Sequence, residues 1–64
     1  METFIIADSD AMEAEYGSRD ETAPFTVIGL YDGEIFTVYG VNSIKEGKAE
    51  LIDNGAEASQ ISYL

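Results

Sequence analysis

Cysteine and histidine are both missing from this 64-residue chain. Without cysteine there are no disulfide staples and no thiolate chemistry, which fits a reducing compartment. Without histidine the chain lacks the side chain best suited to proton transfer near neutral pH and to zinc ligation. Positive charge is scarce as well, since three Lys and Arg face thirteen Asp and Glu for a formal net charge of -10. A phosphate backbone is gripped mainly by lysine and arginine, so direct binding to nucleic acid is not expected. No long apolar run is present either. The richest stretch, FTVIGLYDGEIFTVYGV, is broken by Asp32, Gly33 and Glu34, and a membrane span needs about 20 consecutive apolar residues. The opening METFIIADSD lacks the basic n-region of a signal peptide. The chain is therefore read as cytoplasmic, with no membrane partner.

What is present argues for a fold. Apolar residues make up 45% of the chain, three Phe and four Tyr among them, with one proline, whereas disordered chains are poor in aromatic and apolar groups. There is room for one domain over residues 1–64. A domain this small buries only about 60% of the surface its unfolded chain exposes, so its stability margin is thin and association would help.

The local signals are sharp in places. Thr3 to Ala7, TFIIA, is a short apolar run bounded by acids, as a strand is. DSDAMEAEYG starts a helix that Asp8, Ser9 or Asp10 can cap, with Met12 and Tyr16 on one face and Gly17 as its stop. GSRDETAP, residues 17 to 24, is a loop, and Pro24 biases Ala23 toward extended geometry. FTVIGLY, Asp32-Gly33 and EIFTVYG then read as a hairpin closed by a type I′ turn. SIKEGKAELIDNG is the second helix, with a Ser43/Glu46 capping box, an Asn54-Gly55 stop, and Ile44, Leu51 and Ile52 set to dock on the sheet. A rival parse makes residues 49 to 64 a second hairpin turned at Asn54-Gly55. SQISYL supplies a last strand. The resulting β-α-β-β-α-β order is that of ferredoxin-like folds. The expectation is a small α+β domain with an antiparallel-rich sheet around the central hairpin and two short helices on one face.

If the hairpin pairs without interruption, Phe36 lies over Gly29, and Ile28, Leu30, Ile35 and Tyr39 share the other face. That face is apolar enough to serve as an association surface, for a homodimer among other partners. The alternative is a sheet sandwiched within the fold.

Catalytic signals are absent. Asp8, Asp10 and Glu13 match only the opening of a calcium loop. Met12 stands where Asp or Asn belongs, Glu13 where glycine is required, and Arg19 where a glutamate closes the loop. No glycine forms a phosphate loop after a strand, and carboxylate pairs drawn from thirteen acids carry little information. The chain is read as a non-enzyme with no cofactor and no metal.

Charge is the dominant feature. Residues 8–21 hold Asp8, Asp10, Glu13, Glu15, Asp20 and Glu21 against Arg19 alone. On the second helix Glu46, Glu50 and Asp53 form a stripe rising about 10 Å at 1.5 Å per residue. Carboxylates a few ångströms apart on a rigid frame resemble a run of phosphates. In size, acidity and lack of catalytic groups the chain resembles phage-encoded anti-defence proteins, anti-CRISPR proteins among them, and other DNA mimics. The resemblance is one of class and composition, carried by no motif. It implies an inhibitor in the host cytoplasm that occupies the basic nucleic-acid-binding surface of a target protein through Asp10, Glu13, Asp20, Glu21, Glu46, Glu50 and Asp53. The alternative is a non-catalytic accessory subunit using Ile28, Leu30, Ile35 and Tyr39.

Overall fold

A computed structural model describes every residue, Met1–Leu64. The elements are β1 Glu2–Asp8, α1 Ser9–Tyr16, β2 Phe25–Tyr31, β3 Glu34–Val41, α2 Ile44–Asp53 and β4 Ile61–Tyr63, with a 3-10 turn at Ala58–Gln60 before β4. The α+β class and the β-α-β-β-α-β order expected from the sequence are those observed. Local chemistry explains the boundaries. Asp8 caps α1 by accepting from the backbone N–H groups of Asp10 and Ala11, and Gly17 ends it at φ 71°. Asp32 and Gly33 take φ 51° and 84° at the hairpin turn, the positive values that a type I′ turn demands. Ser43 Oγ accepts from Glu46 N at 3.1 Å, and the Glu46 carboxylate reaches back to accept from Asn42 N. At the far end Gly55 N donates to Ile52 O and Ala56 N to Leu51 O, the paired bonds of a Schellman stop. Residues 49–64 are therefore helix, stop and strand rather than a hairpin.

The four strands lie in the order β3-β2-β1-β4. β1 pairs antiparallel with β2 and β2 with β3, while β4 runs parallel to β1. Because α1 joins β1 to its antiparallel neighbour, the first half holds no split βαβ unit, and the arrangement is not ferredoxin-like. Only the connection through α2 crosses the sheet, from one edge strand to the other.

The two helices cover opposite faces, which corrects the expectation of both on one. Met12 of α1 is buried with Ala7 and Ile28. Leu51 of α2 is buried with Ile6, Val27, Val41 and Ile61. Ile6 and Ala7, like Val27 and Ile28, are consecutive in a strand and so point to opposite sides. The reason lies in the two central strands, which are apolar on both faces and need cover on both. This is the sandwiched alternative.

The hairpin pairs as expected from Tyr31↔Glu34 and Leu30↔Ile35, then slips between Gly29 and Leu30, so that Gly29 faces Thr37, Ile28 faces Val38 and Val27 faces Tyr39. The extra residue is Phe36, and one bulged residue exchanges the faces of everything beyond it. Tyr39 consequently packs on the α2 side, away from Ile28, Leu30 and Ile35. Phe36 does lie over Gly29, as expected. A Cβ at Gly29 would sit 2.8 Å from Phe36 Cζ, and the Phe36 ring meets Phe4 edge-on with centroids 6.1 Å apart.

Gly47 sets the height of α2 above the sheet. A Cβ there would approach Val27 and Val41 to 3.2 Å and Ile6 to 3.3 Å. The contact line accordingly runs through Gly47 and Leu51, the buried residues of α2. Ile44 and Ile52, expected to dock, stay 40% and 44% exposed. Ile52 is turned 100° from Leu51 and lies too far round to reach the sheet.

Candidate acidic binding surface

The first group of acids belongs to α1 and the loop that follows it. Arg19 Nη1 donates to Asp10 Oδ1 at 2.6 Å. That hydrogen bond, reinforced by the charges of Asp10, Glu13 and Glu21, raises the guanidinium pKa above its ordinary value. The structure thus gathers Asp10, Glu13 and Glu21 around the single arginine, and Asp10 is partly spent on it. Glu13 and Glu21 are exposed and make no ion pair. No group of three or more carboxylates converges on a point that could hold a metal ion.

Asp20 has a local role. Its Oδ1 accepts from Thr22 N at 2.8 Å and from Thr22 Oγ1 at 2.7 Å. These bonds hold its carboxyl below the usual range, side-chain bond first, with help from the Ala23 and Gly40 amides. The loop lies close on β3, since a Cβ at Gly40 would fall 2.4 Å from Ala23 Cβ and 2.7 Å from Asp20 Cγ. Beneath it runs a buried hydroxyl chain that no local pattern foreshadowed. Ser9 Oγ donates to Ala23 O at 2.7 Å, Thr26 Oγ1 lies 2.7 Å from Ser9 Oγ, and Asp20 N donates to Thr26 Oγ1 at 3.1 Å. With the Ser9 proton committed to Ala23, the Thr26 hydroxyl is left to donate to Ser9.

The depressed Asp20 pKa carries a pH dependence of known sign. Its bonds contribute in full above the ordinary aspartate range and are lost as acid protonates the folded state. The Thr22 amide resonance is expected to move upfield and broaden as pH falls below that range. Asp20→Asn, which keeps an acceptor but does not titrate, should abolish the change. A Thr22 signal that stays fixed through the acid titration would show that the bonds do not hold the loop.

The second group lies on α2 and the opposite face of the sheet. Glu46, Glu50 and Asp53 are all exposed, but they do not form one free stripe. Glu46 is engaged in the helix cap. Glu50 leans over a cavity of about 380 Å³ that it lines with Glu2, Phe4, Tyr39, Leu51, Asn54, Gly55, Ala56 and Gln60. Burial, and to a smaller degree the Glu50 charge, raises the Tyr39 phenol above its ordinary pKa. Asp53 has no ion partner, and neither do Lys45 and Lys48 on the same helix. Glu2 and Tyr39 were missed as members of this site. Glu2 sits two residues before Phe4 and so shares its face, a signal present in the sequence, whereas placing Tyr39 there required the bulge.

The seven acids expected to act together are thus divided. Asp10, Glu13, Asp20 and Glu21 belong to the α1 side and Glu46, Glu50 and Asp53 to the α2 side. The expected apolar surface is also divided. Ile28 is wholly buried under α1, Leu30 is half-buried beside it, and Tyr39 faces the other way. What remains exposed is edge strand β3, where Ile35, Phe36 and Val38 are 39%, 51% and 37% accessible.

Fold and surface together define a small α+β domain with a helix on each face of a mixed four-stranded sheet and carboxylates on both broad sides. The chain matches no known protein family, no curated protein and no solved structure. No helix is long and apolar enough to cross a membrane.

Proposed function

We propose that the protein is a cytoplasmic, non-catalytic inhibitor that occupies the basic nucleic-acid-binding surface of a target protein, in the manner of phage anti-defence proteins and DNA mimics. The observation that carries this reading is how little of the negative charge is answered internally. Of thirteen acids, Asp32 pairs with the N-terminal ammonium and Asp10 with Arg19, and there are no other ion pairs. The remaining field attracts and steers a basic partner over distances comparable to the Debye length, about 8–10 Å at physiological salt. Acids on both faces of a slab measuring 25 × 24 × 16 Å suit a cleft with basic walls on either side, the kind of site that normally accepts a nucleic acid strand, better than they suit a flat patch.

The test is capture from bacterial lysate at low and high salt, followed by competition. A captured nucleic-acid-binding protein that is released both by salt and by duplex DNA supports the reading. Capture that resists both, or a target with no nucleic-acid site, overturns it.

A second reading draws on β3. An eight-residue edge strand with exposed Ile35, Phe36 and Val38 offers unpaired backbone groups beside apolar side chains, a surface that edge strands usually blunt. On this reading the protein is an accessory subunit or a homodimer joined along β3. Sedimentation at micromolar concentration should then show a dimer that Val38→Lys dissolves; a monomer at every concentration removes the reading.

A further inference from the structure

The cavity between α2 and the sheet has a one-sided chemistry. Phe4, Tyr39, Leu51 and Ala56 supply apolar and aromatic lining, and Glu2, Glu50, Asn54 and Gln60 supply the polar part. Each side-chain amide there spends one of its two N–H donors on backbone, Asn54 Nδ2 on Glu50 O at 2.8 Å and Gln60 Nε2 on Glu2 O at 3.1 Å. The Glu2 and Glu50 carboxylates have no protein donor and no ion pair. The site therefore presents unused acceptors and two negative charges in a cavity that aromatic side chains also line, with no cation of its own. A volume of about 380 Å³ is near the low end for ligand sites, about 300–1,000 Å³, which suits one long side chain better than a large cofactor.

We propose that this cavity is an anchor site for an arginine side chain of the protein's basic partner, its guanidinium held between Glu2 and Glu50 and lying against the rings of Phe4 and Tyr39. A guanidinium brings five donors and no acceptor, stacks on aromatic faces, and sheds its hydration more readily than an ammonium. An ammonium is a compact, strongly hydrated charge that gains less from the rings. The inference rests on the basic-partner reading and names one of its contacts. It assigns to Glu50 a role different from that of one more carboxylate on an outer helix face, and it brings in Glu2, Phe4 and Tyr39.

The test is a ¹H–¹⁵N NMR titration of the whole protein with N-acetyl-arginine-N-methylamide, its citrulline counterpart of the same shape without the charge, and its lysine counterpart. The arginine probe is expected to shift the Leu51, Gly55 and Ala56 amides saturably in the millimolar range. Glu2→Gln and Glu50→Gln, exposed and nearly isosteric, should each weaken it by roughly threefold or more, since each removes a charge-assisted hydrogen bond. Citrulline binding as tightly as arginine, or shifts scattered over the acidic surface and unaffected by these variants, would overturn the site. Lysine binding as tightly as arginine would overturn the guanidinium assignment. Nona-arginine at low salt separates the two levels of the proposal. If wild type and the Glu2→Gln/Glu50→Gln double variant bind it equally and the cavity amides stay still, the cavity is not the anchor while the basic-partner reading stands. If wild type binds neither nona-arginine nor the arginine probe, both readings fall.

Discussion

Truncating either Ile6 or Met12 to alanine is expected to remove a large share of the protein's stability. Both side chains are fully buried. Replacing such residues by alanine typically costs about 2–5 kcal/mol in lost transfer energy and cavity formation. At roughly 0.05–0.15 kcal/mol per residue, a domain of this length holds only about 3–10 kcal/mol in all. Urea melts followed by circular dichroism measure the loss directly. The two residues serve different faces, Ile6 the α2 side and Met12 the α1 side, and the milder pair Ile6→Val and Met12→Leu uses that fact. Their combined effect should equal the sum of the single effects within about 0.5 kcal/mol, as for sites that share no partner. Strong coupling would mean that the helices share one core. Ile44→Ala and Ile52→Ala, at exposed positions, should each change stability by no more than about 0.5 kcal/mol.

Reversing the charge of Glu50 and Asp53 together to lysine should slow association with a basic target on the order of tenfold or more at low salt, with a much smaller effect at high salt. Electrostatic steering raises encounter rates by about 10–10³-fold and is screened by ions. Both side chains are exposed and neither carboxylate takes part in an ion pair or helix cap, so the fold should be retained. Glu46 is left out of this variant because its carboxylate closes the α2 cap, and its reversal would confuse binding with helix stability. Glu13→Lys with Glu21→Lys probes the other face. There six acids of residues 8–21 stand against Arg19 alone, so the loss should be at least as large if that face is the contact. Stopped-flow association at two ionic strengths distinguishes these outcomes. A Glu50/Asp53 variant that binds with the wild-type rate and salt dependence removes α2 from the contact, and equal silence at Glu13 and Glu21 would shift weight to edge strand β3.

Much of the fold was legible because it is written in short-range chemistry. Asp32-Gly33 specified the hairpin turn, Ser43 and Glu46 the start of α2, Gly55 its stop, and Gly17 the end of α1; each acts within about four residues of where it stands. The acidic character of the surface was equally legible, since charge and residue count need no coordinates. The face that each helix covers was not, because Met12 and Leu51 are both apolar and only long-range packing against Ala7 and Ile28 or against Ile6 and Val27 separates them.

The bulge at Phe36 shows the same limit on a smaller scale. Alternation along a strand is a reliable rule until one residue is inserted, and then every later side chain changes side. That single insertion took Tyr39 out of the expected apolar surface and put it beside Glu50. By itself the sequence determined the first strand, the hairpin and its turn, the end of α1 and the capped start of α2, and a net charge that only a partner or solvent can balance. The bonds of Glu46 in its helix cap and of Asp20 in its own loop lie within four residues, and Asp10 meets Arg19 only nine residues on. Tertiary structure alone decided which acids share a face of the sheet, and it brought Glu2 and Glu50 to one cavity from distant parts of the chain. That grouping depends on contacts between residues far apart in sequence, and such contacts exist only once the strands have paired and the helices have settled on their separate faces.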